Sequence, residues 1–472
     1  MSRENAASRR ARTTPGHLPA NSPWPLRERK PRAGWPDAGA TRTVYADGYG
    51  TTTSDSVYRP APSSPFRPSE PDIDSYPSTP SGRELSRWFV ASLGLLIAIS
   101  ALSIDIVLPA LPAIAREFGV GERSAQYLVT AYLSGFAIGQ LPIGLLADRS
   151  GRRVVIICAL ALFIVAGIGA AAATSVPAIC GARFVQGLGG ACGPVLARAI
   201  VRDVGGADHG ARLMAMMMAI LGLAPLLAPL LGGALVQTIG WQWPLIAIPL
   251  YGAVTLAAVL LHVPETHRQR LHEKLLTQVA RSVGELLASP AALLGVALVC
   301  LPFAGYMAMI TTSSTVLIGV YGLSPFQFGA IFAAAAAAYS VGAACSRTWL
   351  KTRSPKHVLD IGMTILTVSA LLLSAAWVLA QPPLWFFWSG VTVFVFGLSV
   401  SSPVATSIAL APLPGSAGFA ASILGAASIA TGALGSLASA AFYANDENSM
   451  TAVLLLGISG ALVLWRVYGR HL

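Results

Sequence analysis

Charge is the first thing this chain is short of. Asp, Glu, Lys and Arg make up 11% of its 472 residues, where a soluble domain carries roughly a quarter, and 54% of the residues are hydrophobic. A soluble globular protein is excluded. Cysteine is scarce too: Cys158, Cys180, Cys192, Cys300 and Cys345 all sit in apolar runs, too few for a disulfide scaffold, and read as free, buried thiols. The 46 glycines and 32 prolines follow no period, which removes collagen and coiled coil. Catalytic signals are missing as well. No glycine-rich phosphate loop ending in Gly-Lys-Ser or Gly-Lys-Thr occurs, so nothing points to ATP or to any other cofactor. The 7 histidines avoid the interiors of the apolar runs. His262, His267 and His272 recur every five residues, about 500° around a helix, so they face different ways and no metal site is expected.

What is present is organised. Residues 1–87 are rich in Ser, Thr and Pro and hold 13 of the 32 Lys and Arg beside 9 acids. Such a stretch cannot bury enough apolar surface to fold and is expected to be a disordered cytoplasmic tail. It lacks the apolar stretch of a signal peptide, and its prolines break any transit helix. From Trp88 onward, apolar runs of about 20 residues follow one another, each long enough to cross a bilayer core as a helix. They predict an all-α integral membrane protein with twelve transmembrane helices, near 88–111, 125–147, 154–173, 178–200, 213–236, 243–263, 290–314, 326–346, 357–379, 384–410, 418–442 and 450–468. The longest polar break, a central cytoplasmic loop at 264–289, divides them into two six-helix halves, 88–263 and 290–472. With the tail on the cytoplasmic side, the loops there hold fourteen Lys and Arg against only Arg116 and Arg123 opposite, so both termini are expected in the cytoplasm. The net charge of +11 therefore belongs to short loops that anchor the chain in the lipid bilayer, and no nucleic-acid partner is expected.

A charge near the bilayer centre costs about 2.5–3.5 kcal/mol on insertion scales, so an ionisable residue there is a functional candidate. Arg183 is the one basic residue well inside a run, and Asp105 is the one acid deep in a helix, with Asp360 near the mouth of the ninth. Both Asp105 and Arg183 fall roughly 8–9 Å below the outer boundary, where they can meet if the first and fourth helices are neighbours. Asp105 reads as a carboxylate that gains and loses a proton beside Arg183. Asp105, Pro109 and Pro112 lie at i, i+4 and i+7, on one helix face. The prolines withhold the N–H groups that the carbonyls of Asp105 and Leu108 would use, so this polar spot must face protein or water.

Between the second and third runs stands Gly144-Leu-Leu-Ala-Asp148-Arg149-Ser-Gly151-Arg152-Arg153. Gly144 is expected to let helices approach closely, Asp148 to sit at the positive start of the third helix, Gly151 to permit the reversal, and the arginines to supply anchors. This hairpin resembles the signature of the major facilitator superfamily. A degraded copy at Gly342 to Arg347, in which Ser346 replaces the acid 198 residues after Asp148, resembles the duplicated halves of that superfamily. Arg183-Phe-Val-Gln186-Gly187 is similar to its RxxQG motif. Gly222 to Gly233 is similar to its antiporter signature, with Ala228 in place of a glycine. Pro225 and Pro229 each free a carbonyl one turn back, and Gly232 and Gly233 leave a smooth patch, so this helix can bend and pack closely. A finer resemblance, to the Bcr/CflA drug-efflux branch, covers residues 88–472. It rests on Ser103 to Pro112, Gly240-Trp241-Gln242-Trp243, Pro264-Glu265-Thr266 and Val320 to Pro325.

The resemblance implies the major facilitator fold and a proton-driven antiporter of the bacterial cytoplasmic (inner) membrane, exporting bulky, mostly apolar compounds such as phenicols or bicyclomycin. It implies a transporter and not an enzyme, whose partners are a small-molecule substrate and protons; a monomer is expected. Asp105 and Arg183 would couple protons, and the hairpin residues Gly144, Asp148, Arg149, Gly151, Arg152 and Arg153 would latch the two halves. Pro225, Pro229, Gly232 and Gly233 would mark the exporter helix. Gln186, Tyr132, Phe303, Tyr306, Met307 and Tyr339 are the candidate substrate contacts, chosen as polar, aromatic or flexible residues on cavity-type helices. Residues 88–104 hold no second acid, which points away from export of cations or of several protons per cycle. A symporter or facilitator importing a small metabolite is the alternative reading.

Overall fold

The computed structural model describes residues 86–266, 275–379, 381–412 and 417–469. The expected tail up to residue 85, and residues 267–274 of the central loop with His267 and His272, lie outside the described residues. Among the described residues every element is helical, and twelve helices are long and apolar enough to cross a membrane. In chain order, spans 1 to 6 are Arg87–Glu117, Glu122–Ser150, Arg152–Ala171, Val176–Val204, Arg212–Thr238 and Gln242–His262. Spans 7 to 12 are Pro290–Val320, Pro325–Trp349, Pro355–Val378, Leu384–Leu410, Ala420–Ala441 and Asn448–Tyr468. The break between spans 6 and 7 also holds a helix, Leu275–Ala288, whose Leu286 packs with Ala292 and Ala420.

Local chemistry sets the helix starts. Ser289, Ser324 and Ser354 cap spans 7, 8 and 9 through their hydroxyls, and each precedes a proline whose fixed φ suits the first helical position. At span 8, Gln327 answers Ser324 in a reciprocal capping box. Span 1 is not one regular helix. It stops at Asp105, passes through a 3-10 turn at Leu108–Ala110 and resumes at Leu111–Glu117, because Pro109 cannot donate the bond that would carry the helix on. The Leu108 carbonyl, expected to be free, is taken by the Leu111 N–H. Span 7 runs beyond the expected 314 by a π-helical turn, Thr315–Val320. All five cysteines are free, but only Cys192 and Cys300 are buried, and Cys158 is exposed. An apolar run in a membrane helix faces lipid as readily as protein, so it does not by itself predict burial.

Among the described residues, Arg149, Arg152 and Arg153 after span 2, Arg202 and Arg212 around the break after span 4, and Arg347, Lys351, Arg353 and Lys356 after span 8 mark a basic face. At the opposite face the two halves are tied together by hydrogen bonds. Gln126 Nε2 donates to Thr315 Oγ1 at 2.7 Å. The Thr130 and Ser436 hydroxyls are 2.7 Å apart, and Ser436 meets Thr311 at the same distance. Tyr443 donates its hydroxyl to Glu122 Oε2 at 2.9 Å while its carbonyl accepts from Arg123 Nη2 at 2.9 Å. Burial and the neighbouring Glu122 carboxylate both push the Tyr443 hydroxyl's pKa up, which keeps it a donor. Between described residues, no hydrogen bond or ion pair joins the halves at the basic face.

Candidate functional site

Asp105 is 3% exposed and receives no hydrogen bond or ion pair from any described residue. Arg183 is fully buried, but not with Asp105. Its Nη1 donates to Gln186 Oε1 at 2.7 Å and its Nη2 to the Ser103 carbonyl at 2.9 Å, and its guanidinium carbon lies 4.4 Å from the centroid of the Tyr132 ring. The meeting expected of Asp105 and Arg183 does not occur in this conformation. Span 4 holds span 1 at Ser103, and Asp105, two residues on and about 200° around the helix, is left turned toward span 7. There Tyr306 lies within its electrostatic reach.

Around Tyr306 the aromatic candidates come together. Its ring centroid is 5.8 Å from that of Phe303 and 6.0 Å from that of Tyr339. Phe303 and Tyr306 are half-buried, and Tyr339 is 36% exposed although it sits deep in the protein, so the group presents apolar surface to open space near Asp105. The other proposed substrate contacts are spent on packing. Tyr132 is completely enclosed beneath Arg183, and Gln186 is engaged by Arg183 and the Phe163 carbonyl. Met307 is buried against span 11, where a Cβ at Gly432 would lie 2.7 Å from its Cγ. A motif glycine or an apolar sequence neighbourhood gives no sign of which side chains will be consumed this way.

Span 5 runs along the seam between the halves. A Cβ on Gly232 would strike the Ile106 carbonyl of span 1, and one on Gly233 would strike the Pro325 carbonyl at the start of span 8. Pro229 is buried opposite Gly329, whose own Cβ would come within 2.5 Å of the Pro229 carbonyl, while Pro225 is half-buried one turn away. The small residues of this helix thus set the contact of spans 1, 5 and 8 directly beside Asp105.

The hairpin after span 2 builds a charge cluster at the basic face. Arg152 Nη1 pairs with Asp148 at 2.5 Å and its Nε with Asp203, at the end of span 4, at 3.2 Å. Glu265, just after span 6, accepts from the backbone N–H groups of Arg152 at 2.9 Å and Arg153 at 3.1 Å. The carboxylate at the start of the third helix is therefore Glu265 and not Asp148. Gly151 turns the chain at φ +98° directly beneath it. Arg153 reaches the Leu260 carbonyl at 2.8 Å, and among the described residues Arg149 forms no hydrogen bond or ion pair with another side chain. Gly144 is not a close-approach point here, since a Cβ on it would meet only Val195, at 3.8 Å. Every contact of the hairpin named here stays within the first half and the start of the central loop; none reaches the second half. In the degraded copy, Ser346 donates to the Val400 carbonyl at 2.9 Å, a neutral contact to span 10 in place of a salt bridge.

Sequence reasoning quoted Glu265 only within a stretch of family resemblance and gave it no role, and it passed over Asp203 and the polar residues of the opposite face. The latter had left a signal: Glu122, Gln126 and Thr130 recur every four residues, a polar stripe along one face of the second helix.

The chain matches the family model of the Major Facilitator Superfamily over residues 93–440. It is 29% identical over 351 residues to a bicyclomycin resistance protein homolog of Haemophilus influenzae, covering 73% of this chain and 87% of that protein. It is 30% identical over 348 residues to the multidrug resistance protein MdtL of Escherichia coli O9:H4 (strain HS), covering 73% and 86%. Among solved structures, that of a D-xylose-proton symporter superposes with a TM-score of 0.63 at 18% identity, covering 80% of this chain and 96% of that one, a likeness of fold.

Proposed function

The chain belongs to the major facilitator superfamily, a family of multi-pass membrane transporters of small molecules, and on that premise we propose that it is a proton-driven antiporter exporting bulky, mostly apolar drugs or metabolites. The observation that carries this reading is the place of Asp105. It is a carboxylate with no hydrogen-bond or ion-pair partner among the described residues, next to the seam of spans 1, 5 and 8 and within electrostatic reach of Tyr306, which groups with Phe303 and Tyr339. A bulky compound seated on those rings competes with the proton for the space at Asp105 and displaces it, so compound and proton are not held well together. Proton and compound are thereby coupled through one small space, which is a free-energy linkage between two sites. The names of the relatives, one of bicyclomycin resistance and one of multidrug resistance, support drug-like cargo, and a phenicol or bicyclomycin-like compound is the cargo proposed.

On this reading the basic face is cytoplasmic, both termini lie on that side, and the protein works as a monomer in the bacterial inner membrane. The closed seal then faces outward and the conformation is open to the cytoplasm. Asp148 and Arg152, held within the first half here, would exchange partners with the second half when the bundle rocks the other way.

The test is proton release from energised everted vesicles on addition of chloramphenicol or bicyclomycin. The wild-type protein is expected to release protons on addition of at least one probe, and Asp105→Asn none. Unchanged release in the variant removes Asp105 from the coupling, and probe accumulation by intact cells reverses the direction.

A further inference from the structure

Away from the central seam, a cleft of about 340 Å³ opens between spans 9 and 12 at the basic face. Its size falls in the range of small-ligand pockets, about 300–1,000 Å³. Lys356, Asp360, Trp465, Arg466 and Gly469 surround its mouth, and Met363, Thr364, Thr367 and Leu462 continue it downward. Lys356 is the second residue of span 9 and Arg466 stands two residues before the end of span 12, so both cations sit where helix ends leave the apolar zone. Neither forms an ion pair with a described residue. Asp360 is occupied on one side: its Oδ1 accepts from Trp465 Nε1 at 2.9 Å, a strut that fixes the two spans against each other and leaves Oδ2 available.

The depth of the cleft separates one occupant from another. Lys356 and Thr367 are eleven residues apart on one helix, about 16 Å along its axis, so the lining descends from a charged mouth into the bilayer's hydrocarbon zone. Over that descent it loses hydrogen-bonding capacity. The hydroxyls of Thr364 and Thr367 donate to the carbonyls of Asp360 and Met363 in their own helix, both at 2.8 Å, and Met363 and Leu462 are apolar. A soluble phosphate would use the mouth alone and leave this floor to no purpose. A phospholipid fills both: its phosphate meets two cations, a headgroup hydroxyl meets Asp360, and its glycerol and upper acyl chain follow the floor. Two cations against one carboxylate leave the mouth net positive, which favours an anionic headgroup over a zwitterionic one.

We propose that the cleft between spans 9 and 12 is a specific binding site for an anionic phospholipid of the phosphatidylglycerol class, held by Lys356 and Arg466 at its phosphate. The site is separate from the transport path, and its test does not depend on transport.

Native mass spectrometry of the detergent-purified full-length protein, titrated with phosphatidylglycerol, phosphatidylethanolamine or glycerol phosphate, reads occupancy directly. Phosphatidylglycerol is expected to bind at least fivefold more tightly than phosphatidylethanolamine, with glycerol phosphate failing to displace it at equal concentration. The double variant Lys356→Gln/Arg466→Gln is expected to weaken phosphatidylglycerol at least tenfold. A control, Lys351→Gln/Arg353→Gln, removes the same charge from the neighbouring loop and should change it less than twofold. Thr364→Phe fills the floor without altering charge and should weaken the lipid comparably to the double variant. Equal loss in the control would mean diffuse charge attraction and overturns the site. So would undiminished binding in the double variant, unchanged binding in Thr364→Phe, parity of the two lipids, or displacement by glycerol phosphate, which would reduce the mouth to a phosphate site.

Discussion

Arg183 shows how a buried charge is kept without a carboxylate. Two of its nitrogens are satisfied by an amide oxygen and a backbone carbonyl, and the face of Tyr132 supplies a cation–π contact. The arrangement depends on the planar fork of a guanidinium, which an ammonium does not reproduce. Arg183→Lys should therefore lower stability by about 1–3 kcal/mol, the usual cost of orphaning buried polar groups, and Gln186→Leu should do the same by freeing Nη1. Tyr132→Phe is the informative contrast. The Tyr132 hydroxyl has no hydrogen-bond partner, so its removal should change stability by less than about 0.5 kcal/mol while the cation–π face stays. Thermal unfolding of the three variants in detergent checks the order, and a large loss in Tyr132→Phe would show that the hydroxyl is in use.

At the scale of the element, the third span owes its start to residues from two places in the chain. Gly151 supplies a backbone turn that other residues enter only with strain, and Glu265 lies where a Cβ on Gly151 would be, 2.7 Å from its Oε2. Gly151→Ala should thus cost more than the strain alone, because it also displaces the carboxylate that caps the helix. Glu265→Gln keeps the shape but removes the charge facing the helix N-terminus, an expected loss of about 0.5–2 kcal/mol. Unfolding measurements on each variant and on the pair should give less than the sum of the two losses, since both act on one cap. Additive losses would mean that the glycine and the carboxylate work separately.

At the scale of the molecule, the distribution of contacts between the halves defines a conformational state. They are hydrogen-bonded at one face and, between described residues, unjoined at the other. A pair of cysteines replacing Thr130 and Ser436, whose hydroxyl oxygens are 2.7 Å apart, is placed for a disulfide across the closed seal. In a background with the native cysteines replaced, oxidation should crosslink the pair, stop transport, and be reversed by reductant. Crosslinking with transport intact would mean that this seal does not open during the cycle.

The sequence alone carried the class of the protein, because the bilayer imposes its terms locally. A run of about 20 apolar residues must become a helix whatever surrounds it, and a charged residue inside such a run is visible by its rarity. Twelve spans, Asp105 and Arg183 were legible on those grounds, and the hairpin motif by its resemblance to a family signature. Which residues meet was not. The direction in which Asp105 turns follows from the break at Pro109 and from the docking of span 4 on Ser103. Glu265 reaches Gly151 only because the start of span 3 and the end of span 6 lie side by side. Gln186, Tyr132 and Met307 were removed from the open surface by neighbours distant in the chain. Local hydrophobicity fixes where a helix lies along the sequence, whereas its rotation and its neighbours are set by close packing between helices, which no single segment encodes.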